Sequence, residues 1–308
     1  MRPLLPGDKV AIVSPASVIN PDYVSGAVET LAAMWLRPEV KANVLGQSGS
    51  FSGTADERVA DLTDALLDPD VKCILCSRGG YGCVHLLPQL DRLISSGEVA
   101  PKWLVGFSDV SALHALWRKH GWESVHSSMT KQLALGGPDD PLNHELIDIL
   151  EGRISSISLP TGFSGSPAGM SSRPGSARGM VTGGNLAVIG GLIGTPYNPV
   201  IPGSILLIED IAEPIYKVER ILWQLRLAGL FDSLSGMIVG AFTDYKAPSR
   251  DHEDMYSMID SFIRNSGVTF PVAMDVPVGH IDSNRPVILN REARLTVTPG
   301  QATLDYNV

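Results

Sequence analysis

Ser108 stands in the run Gly106-Phe107-Ser108-Asp109-Val110, where a short apolar stretch gives way to helical periodicity. A serine on such a strand-to-helix turn projects its hydroxyl from the top of a sheet, and the next backbone N–H lies at a helix amino terminus, placed for a developing oxyanion. Those are the requirements of a nucleophile elbow. The run departs from the esterase form G-x-S-x-G because Val110 replaces the last glycine, and a serine followed by aspartate before an apolar helix is also an ordinary cap. A serine nucleophile needs a base, and the base an acidic orienter. The seven histidines are His85, His114, His120, His126, His144, His252 and His280. His114 and His120 fall on the helix after Ser108, pointing away from its start, and His252 falls in a polar loop. His280 follows the strand-like VAMDVPVG and precedes the turn IDSNRP, so a loop of the second half of the chain can present it to the first; alone, it also reads as a turn residue. Glu209 ends the apolar run ILLI with Asp210 behind it. An acid ending a buried strand is unusual and either orients a base or caps the next helix.

A second loop, SRGGYG at 77–82, carries Gly79, Gly80 and Gly82, which let backbone N–H groups approach a ligand and can adopt positive φ. It lacks the G-x-G-x-x-G spacing and the lysine of nucleotide-binding loops, leaving a tight turn or an anion- or oxyanion-binding loop. Cys73, Cys76 and Cys83 lie close together and include a C-x-x-C. The stretch KCILC reads as a buried strand whose side chains three apart point to opposite faces, and no second pair completes four zinc ligands. Buried structural thiols are expected, with no metal site.

The elements that must position these residues alternate. Residues 9–13 read as a strand, a helix follows Asn20-Pro21, and Thr54 with Glu57 forms a capping box before the buried stripe Val59, Leu62, Leu66. Strands at 71–76 and 103–106, a short helix to about residue 87 and a helix over 110–120 complete an α/β pattern, as in a parallel sheet covered on both faces. In such sheets ligands bind beyond the carboxyl ends of the strands, where both loops fall. Residues 155–180 are rich in small and turn-forming types and read as a linker, between a first domain over 1–154 and a second over 181–308. The second holds a strand at 205–208, an amphipathic helix through Val218, Ile221, Leu222 and Leu225, a strand at 237–242, and then short strands that suggest a mixed curved sheet or small barrel.

The 308 residues suit about two domains. Hydrophobic residues make up 44% and charged ones 19%, far from the composition of disorder. With 24 basic against 33 acidic residues the net charge is -9, so nucleic acid is not an expected partner. No apolar run is long enough to span a bilayer and Pro3 and Pro6 interrupt the start, which predicts a cytoplasmic protein without a membrane partner.

Together, GDKVAIVSPAS near the start, SGTADERVADL at 52–62, SRGGYG at 77–82, GFSDVSAL at 106–113, GGNLAVIGGLIGTPY at 183–197, LIEDIAEPIYKVERIL at 207–222 and PVGHIDSNRP at 277–286 resemble the LD-carboxypeptidase family over nearly the whole chain. These are serine peptidases that include muramoyltetrapeptide carboxypeptidase and the microcin self-immunity proteins. The resemblance implies a triad of Ser108 as nucleophile, His280 as general base and Glu209 as its orienting acid, selected by the family motif from Glu209, Asp210 and Glu213. It implies an oxyanion hole from the backbone N–H groups of Asp109 and Gly80. An exopeptidase must also recognise a free carboxylate; Arg78 is a fork-shaped candidate partner or else a brace for the glycine loop, with Gly79 and Tyr81 beside it in the substrate-binding set. Further implications are a Rossmann-like amino-terminal domain similar to class I glutamine amidotransferases, a smaller β-rich carboxy-terminal domain, an active site in the cleft between them, no cofactor, and often a homodimer. The implied activity is removal of the terminal D-alanine from murein tetrapeptides. The alternatives are hydrolysis of peptidyl-adenylates, as by the immunity proteins, and a non-catalytic peptide-binding domain. Many members carry His-Gly-Pro-Met where this chain has His126-Ser127-Ser128-Met129, which bears on specificity.

Overall fold

The computed structural model describes residues 1–165, 171–246 and 254–308. His252 and residues 166–170 of the expected linker lie outside the described residues. The chain divides into two units, Met1–Ile154 with Pro286–Ile288, and Ser155–Arg285 with Leu289–Val308.

In the first unit, β1 (Lys9–Val13), β2 (Arg37–Val40), β3 (Val71–Cys76), β4 (Trp103–Gly106) and β5 (Ser124–His126) pair in parallel. With β11 (Val287–Leu289) they form a six-stranded sheet in the order β11-β5-β4-β3-β1-β2. The central strands are buried almost throughout, as expected of a parallel sheet covered on both faces. The connections carry α1 (Pro21–Ala33), α2 (Ala55–Leu67), α3 (Leu87–Ser95), α4 (Ser111–Lys119), α5 (Thr130–Gly136) and α6 (Pro141–Leu150). The capping box forms: Thr54 Oγ1 accepts from the Glu57 N–H at 3.2 Å, and Glu57 Oε2 accepts from the Thr54 N–H at 2.7 Å. The short helix expected after the glycine loop is a 3-10 turn, Cys83–Leu86, that runs into α3.

The second unit holds β6 (Ser156–Pro160), β7 (Gly175–Asn185), β8 (Ile205–Ile211), β9 (Gly236–Thr243), β10 (Val272–Ala273), β12 (Arg291–Thr298) and β13 (Gln301–Asp305), ordered β10-β9-β8-β7-β12-β13-β6. The sheet is mixed: β7 to β10 are parallel, and β12, β13 and β6 pair antiparallel. The strand order runs from β10 to β6, and just beyond these two strands the Gly162 and Phe163 N–H groups donate to the Met274 and Asp275 carbonyls at 3.1 and 2.9 Å, which ties the two ends of this mixed sheet together. It is also richer in helix than the strand pattern implied. Beside α8 (Ile215–Leu227) stand α7 (Leu186–Leu192) and α9 (Met255–Ser266), whose Met258, Ile259 and Phe262 pack with Val218, Leu222 and Phe231 in one core.

The expected linker is corrected by β6 and β7, which occupy much of 155–180. Glycine-rich β7 is a strand because its neighbours come too close for side chains: a Cβ on Gly179 would strike the Gly203 carbonyl, and one on Gly183 the Leu207 carbonyl. Sheet pairing overrides the turn propensity of these residues.

Candidate active site

β4 ends at Gly106, where a Cβ would meet Val110 Cγ1 at 3.0 Å and Cys76 Cβ at 3.2 Å. Phe107 is extended (φ −151°) and Ser108 then takes φ +66°, the left-handed region that costs a residue with a side chain roughly 1–2 kcal/mol. Such strain persists only where the surroundings fix it. Here the Gly106 carbonyl accepts from the Ser127 N–H at 3.1 Å and His114 Nε2 at 2.9 Å. The 3-10 turn Ser108–Val110 leads into α4 and leaves Ser108 half-buried. Val110 has an ordinary helical φ of −60°, so this elbow needs no glycine there, which explains the departure from G-x-S-x-G.

The glycine loop lies against the elbow. A Cβ on Gly79 would sit 2.7 Å from Ser108 Cβ and 2.8 Å from its Oγ. Glycine is therefore required for close approach, and at Gly80 for a φ of +111° as well, with Ser17 filling the space a side chain would take. The Gly79 carbonyl accepts from the Ser17 N–H at 3.2 Å, and Thr130 Oγ1 donates to the Ser77 carbonyl at 2.8 Å. Asp109, buried, accepts from the Cys83 N–H through Oδ2 at 2.8 Å. Arg78 is exposed and donates through Nη1 to the Val18 carbonyl at 2.9 Å. Tyr81, also exposed, packs against Phe51 and His85 with ring centroids 5.9 and 5.2 Å away.

In the second unit β8 delivers Glu209 fully buried, and its Oε2 lies 2.7 Å from His280 Nδ1. Two glycines make this contact possible. A Cβ on Gly279 would sit 2.8 Å from Glu209 Oε2, and one on Gly240 would strike the Val278 carbonyl. The pairing of β8 with β9 shifts register between Ile208 and Asp210, a bulge that re-aims side chains. The 277–285 loop is pinned by fully buried Asn284, whose Oδ1 accepts from the Gly279 N–H at 2.8 Å, and by the Arg285 N–H on the Pro277 carbonyl at 2.8 Å. Asp210 does other work: its carboxylate accepts from Asn185 Nδ2, the Ala187 N–H and the Ile211 N–H, each at 2.9 Å, at the start of α7. Glu213 pairs with Lys217 at 3.5 Å. Of the three neighbouring acids, Glu209 is thus the one that meets the histidine.

Burial opposes a charged His280, but the Glu209 hydrogen bond and charge, with the charges of Asp210 and Asp244, outweigh it and raise the imidazole above its ordinary value. Burial, then the charge of Glu209, pushes Asp210 up to about 6.

Comparison with known proteins adds to this geometry. Residues 10–127 match the LD-carboxypeptidase N-terminal domain and residues 178–295 the LD-carboxypeptidase C-terminal domain. The murein tetrapeptide carboxypeptidase of Pseudomonas aeruginosa is 30% identical over 90% of this chain and 89% of its own. The chain belongs to the LD-carboxypeptidase family. Among solved structures, the muramoyltetrapeptide carboxypeptidase of Oxalobacter formigenes superposes with TM-score 0.82 at 26% identity, covering 96% of this chain and 98% of that one. The microcin C7 self-immunity protein in complex with aspartyl sulfamoyl adenosine shares the fold, with TM-score 0.79 at 22% identity over 99% and 97% of the two chains.

In this LD-carboxypeptidase family member, then, Ser108, Asp109, Gly79 and Gly80 are assembled in the first unit and Glu209 with His280 in the second. His114 does not point away from the start of its helix. It bonds the carbonyl below the elbow, and burial pushes its pKa down to about 3, so it braces the turn as a neutral ring. His120 bonds Asp91 at 2.7 Å. His126, Ser127, Ser128 and Met129 are all buried beside the elbow. The three cysteines are buried free thiols, raised by desolvation. Among the described residues no helix is long and apolar enough to cross a membrane, and no cluster of three metal-ligating side chains occurs. Asn284 and Arg58 were not singled out from the sequence. The available signal for Arg58 was its place one turn before Leu62, on the buried stripe of α2.

Proposed function

We propose that this protein is a serine LD-carboxypeptidase that removes the terminal D-alanine from murein tetrapeptides. The observation that carries this is the 2.7 Å contact between buried Glu209 and His280 Nδ1, in a family whose named members include murein tetrapeptide carboxypeptidases. With Nδ1 held by the carboxylate, Nε2 is the nitrogen that takes the Ser108 proton as Oγ attacks the carbonyl before D-alanine. Catalysis by this route needs His280 Nε2 within hydrogen-bond reach of Ser108 Oγ during the reaction. The tetrahedral oxyanion is held by the N–H groups of Asp109 and Gly80. His280 returns the proton to the departing amine, and water, deprotonated by the same imidazole, releases the tripeptide from Ser108. Arg78, anchored by one N–H to Val18, offers its remaining N–H groups to the substrate carboxylate, with Gly79 and Tyr81 alongside. Our reading places this turnover of cell-wall peptides in the cytoplasm, and light scattering of the purified chain tests the homodimer that the family resemblance implies.

Incubating the protein with a murein tetrapeptide and following mass tests the proposal, with Ser108→Ala as control. Release of D-alanine by the wild type alone is expected. Equal release by both would remove Ser108 as nucleophile. No release from the tetrapeptide, with cleavage of a peptidyl-adenylate, would favour the chemistry suggested by the fold shared with the microcin self-immunity protein.

A further inference from the structure

Arg58 is 3% exposed, an arginine brought into the interior of the first unit. Burying a guanidinium costs several kcal/mol unless its surroundings compensate, so what it holds is informative. Its Nη1 donates to two carbonyls from different segments, Pro15 at 2.7 Å and Gly82 at 3.0 Å, and its Cζ lies 4.9 Å from the centre of the Phe51 ring.

Each carbonyl leads toward one proposed oxyanion donor. The peptide group joining Gly82 to Cys83 is gripped at both ends, its C=O by Arg58 and its N–H by the buried Asp109 carboxylate at 2.8 Å. That peptide dipole lies between a cation and an anion, an arrangement that strengthens both bonds. Asp109 follows Ser108 and supplies one donor from its own backbone. On the other side, Pro15 precedes Ser17, whose N–H holds the Gly79 carbonyl at 3.2 Å and whose side chain occupies the space beside Gly80, the second donor.

We infer that Arg58 is a positioning residue of the reaction: through the Gly82–Cys83 peptide and the 15–17 turn it sets the spacing of the two oxyanion donors. It does not touch substrate. The inference rests on the proposed oxyanion hole at Asp109 and Gly80.

The test compares wild type with Arg58→Met, Arg58→Lys and Leu62→Ala, a buried change one turn along α2 that weakens packing without touching either carbonyl. Two rates are read: D-alanine release, as kcat and KM, and phosphonylation of Ser108 by a fluorophosphonate, whose tetrahedral adduct needs the same hole. Arg58→Met is expected to lower kcat and phosphonylation about 10- to 100-fold, below the cost of deleting a donor outright, with KM within about two-fold. Arg58→Lys should recover most of the loss, and Leu62→Ala should lower melting temperature with kcat retained. Equal kcat losses in Arg58→Met and Leu62→Ala, or none in Arg58→Met, would overturn the inference. If Arg58→Met does not fold, Asp109→Asn at the other end of the same peptide decides, with slower phosphonylation expected and an unchanged rate against it. Should the wild type release no D-alanine, the substrate proposal fails while phosphonylation still reads Arg58. Absence of any Ser108 labelling would sink both.

Discussion

The elbow of the first unit and the acid–histidine pair of the second solve the same problem in different materials. The elbow is made of backbone: a serine held at φ +66° and a glycine admitted because nothing larger fits against it, with N–H groups as the proposed oxyanion donors. The pair is made of side chains: a fully buried carboxylate and an imidazole 2.7 Å apart, held by a pinned loop. Backbone geometry is indifferent to pH and sensitive to a single added carbon. A side-chain pair tolerates small changes of shape but depends on protonation. The two halves should therefore fail in different ways.

The largest effect is expected from breaking the pair. Glu209→Gln keeps shape but can leave His280 in the wrong tautomer, and should lower kcat about a thousand-fold or more. It should also move the acid limb of the pH profile. In the wild type His280 must be neutral to act as base, and its raised pKa places loss of activity, as pH falls, above the ordinary imidazole value of about 6.5. Without the carboxylate the opposing effect of burial prevails and residual activity should persist to lower pH. A pH profile of kcat/KM for both proteins checks this; an unmoved limb would show that His280 is not the titrating base. The stability sign runs the other way. A histidine with raised folded pKa contributes stability fully below about 6.5, lost as pH rises through the folded value, so the melting-temperature deficit of Glu209→Gln should narrow in alkaline buffer.

This contrast also explains what was legible in the sequence. The elbow announces itself locally, because a strand end, a serine and a helix start are contiguous at 103–119. Glu209 is conspicuous at the end of ILLI, yet its choice over Asp210 depends on a register shift against β9 and on glycines at 240 and 279, which lie in distant sequence. Family resemblance, not spacing, selected it. β7 was hidden for the opposite reason, since its glycines read as turn residues until their neighbours are in place. α9 carries a helical stripe of Met255, Met258, Ile259, Phe262 and Ile263, and only the strand-like segments around it obscured the pattern. Arg58 bonds carbonyls 43 and 24 residues away, and no local rule identifies such partners.

A smaller effect sharpens the backbone side. Gly79→Ala places a methyl 2.7 Å from Ser108 Cβ, so loop or elbow must shift. Overpacking of this kind costs about 1–3 kcal/mol, and displacement of the donors should lower kcat about 10- to 100-fold with the acid limb unmoved. Kinetics across pH, with thermal melts, separate this from the Glu209→Gln pattern; a limb that moved with Gly79→Ala would mean that the two halves are not independent.

The smallest effect belongs to Asp210, which bonds backbone and Asn185 without touching His280. Its charge nevertheless raises His280, after the Glu209 contributions and ahead of Asp244. Removing it in Asp210→Asn should shift the acid limb in the same direction as Glu209→Gln, downward, but by only a fraction of a pH unit, with kcat at alkaline pH within a few-fold of wild type. Stability supplies an independent check. Asp210 is raised to about 6, so in the wild type its contribution to stability falls as pH rises from the unfolded value of about 3.9 through 6, and the asparagine variant should lack that slope. Asparagine turns an N–H toward Ala187, where the carboxylate accepted a bond, at a cost of about 1 kcal/mol that does not depend on pH. Melts from pH 4 to 8 therefore separate the two terms: a constant deficit reports the lost bond, and a deficit that shrinks with rising pH reports the charge. If the acid limb moved as far as in Glu209→Gln, the buried carboxylate beside His280 would not be its main partner, and the division of labour between these adjacent acids would have to be reversed.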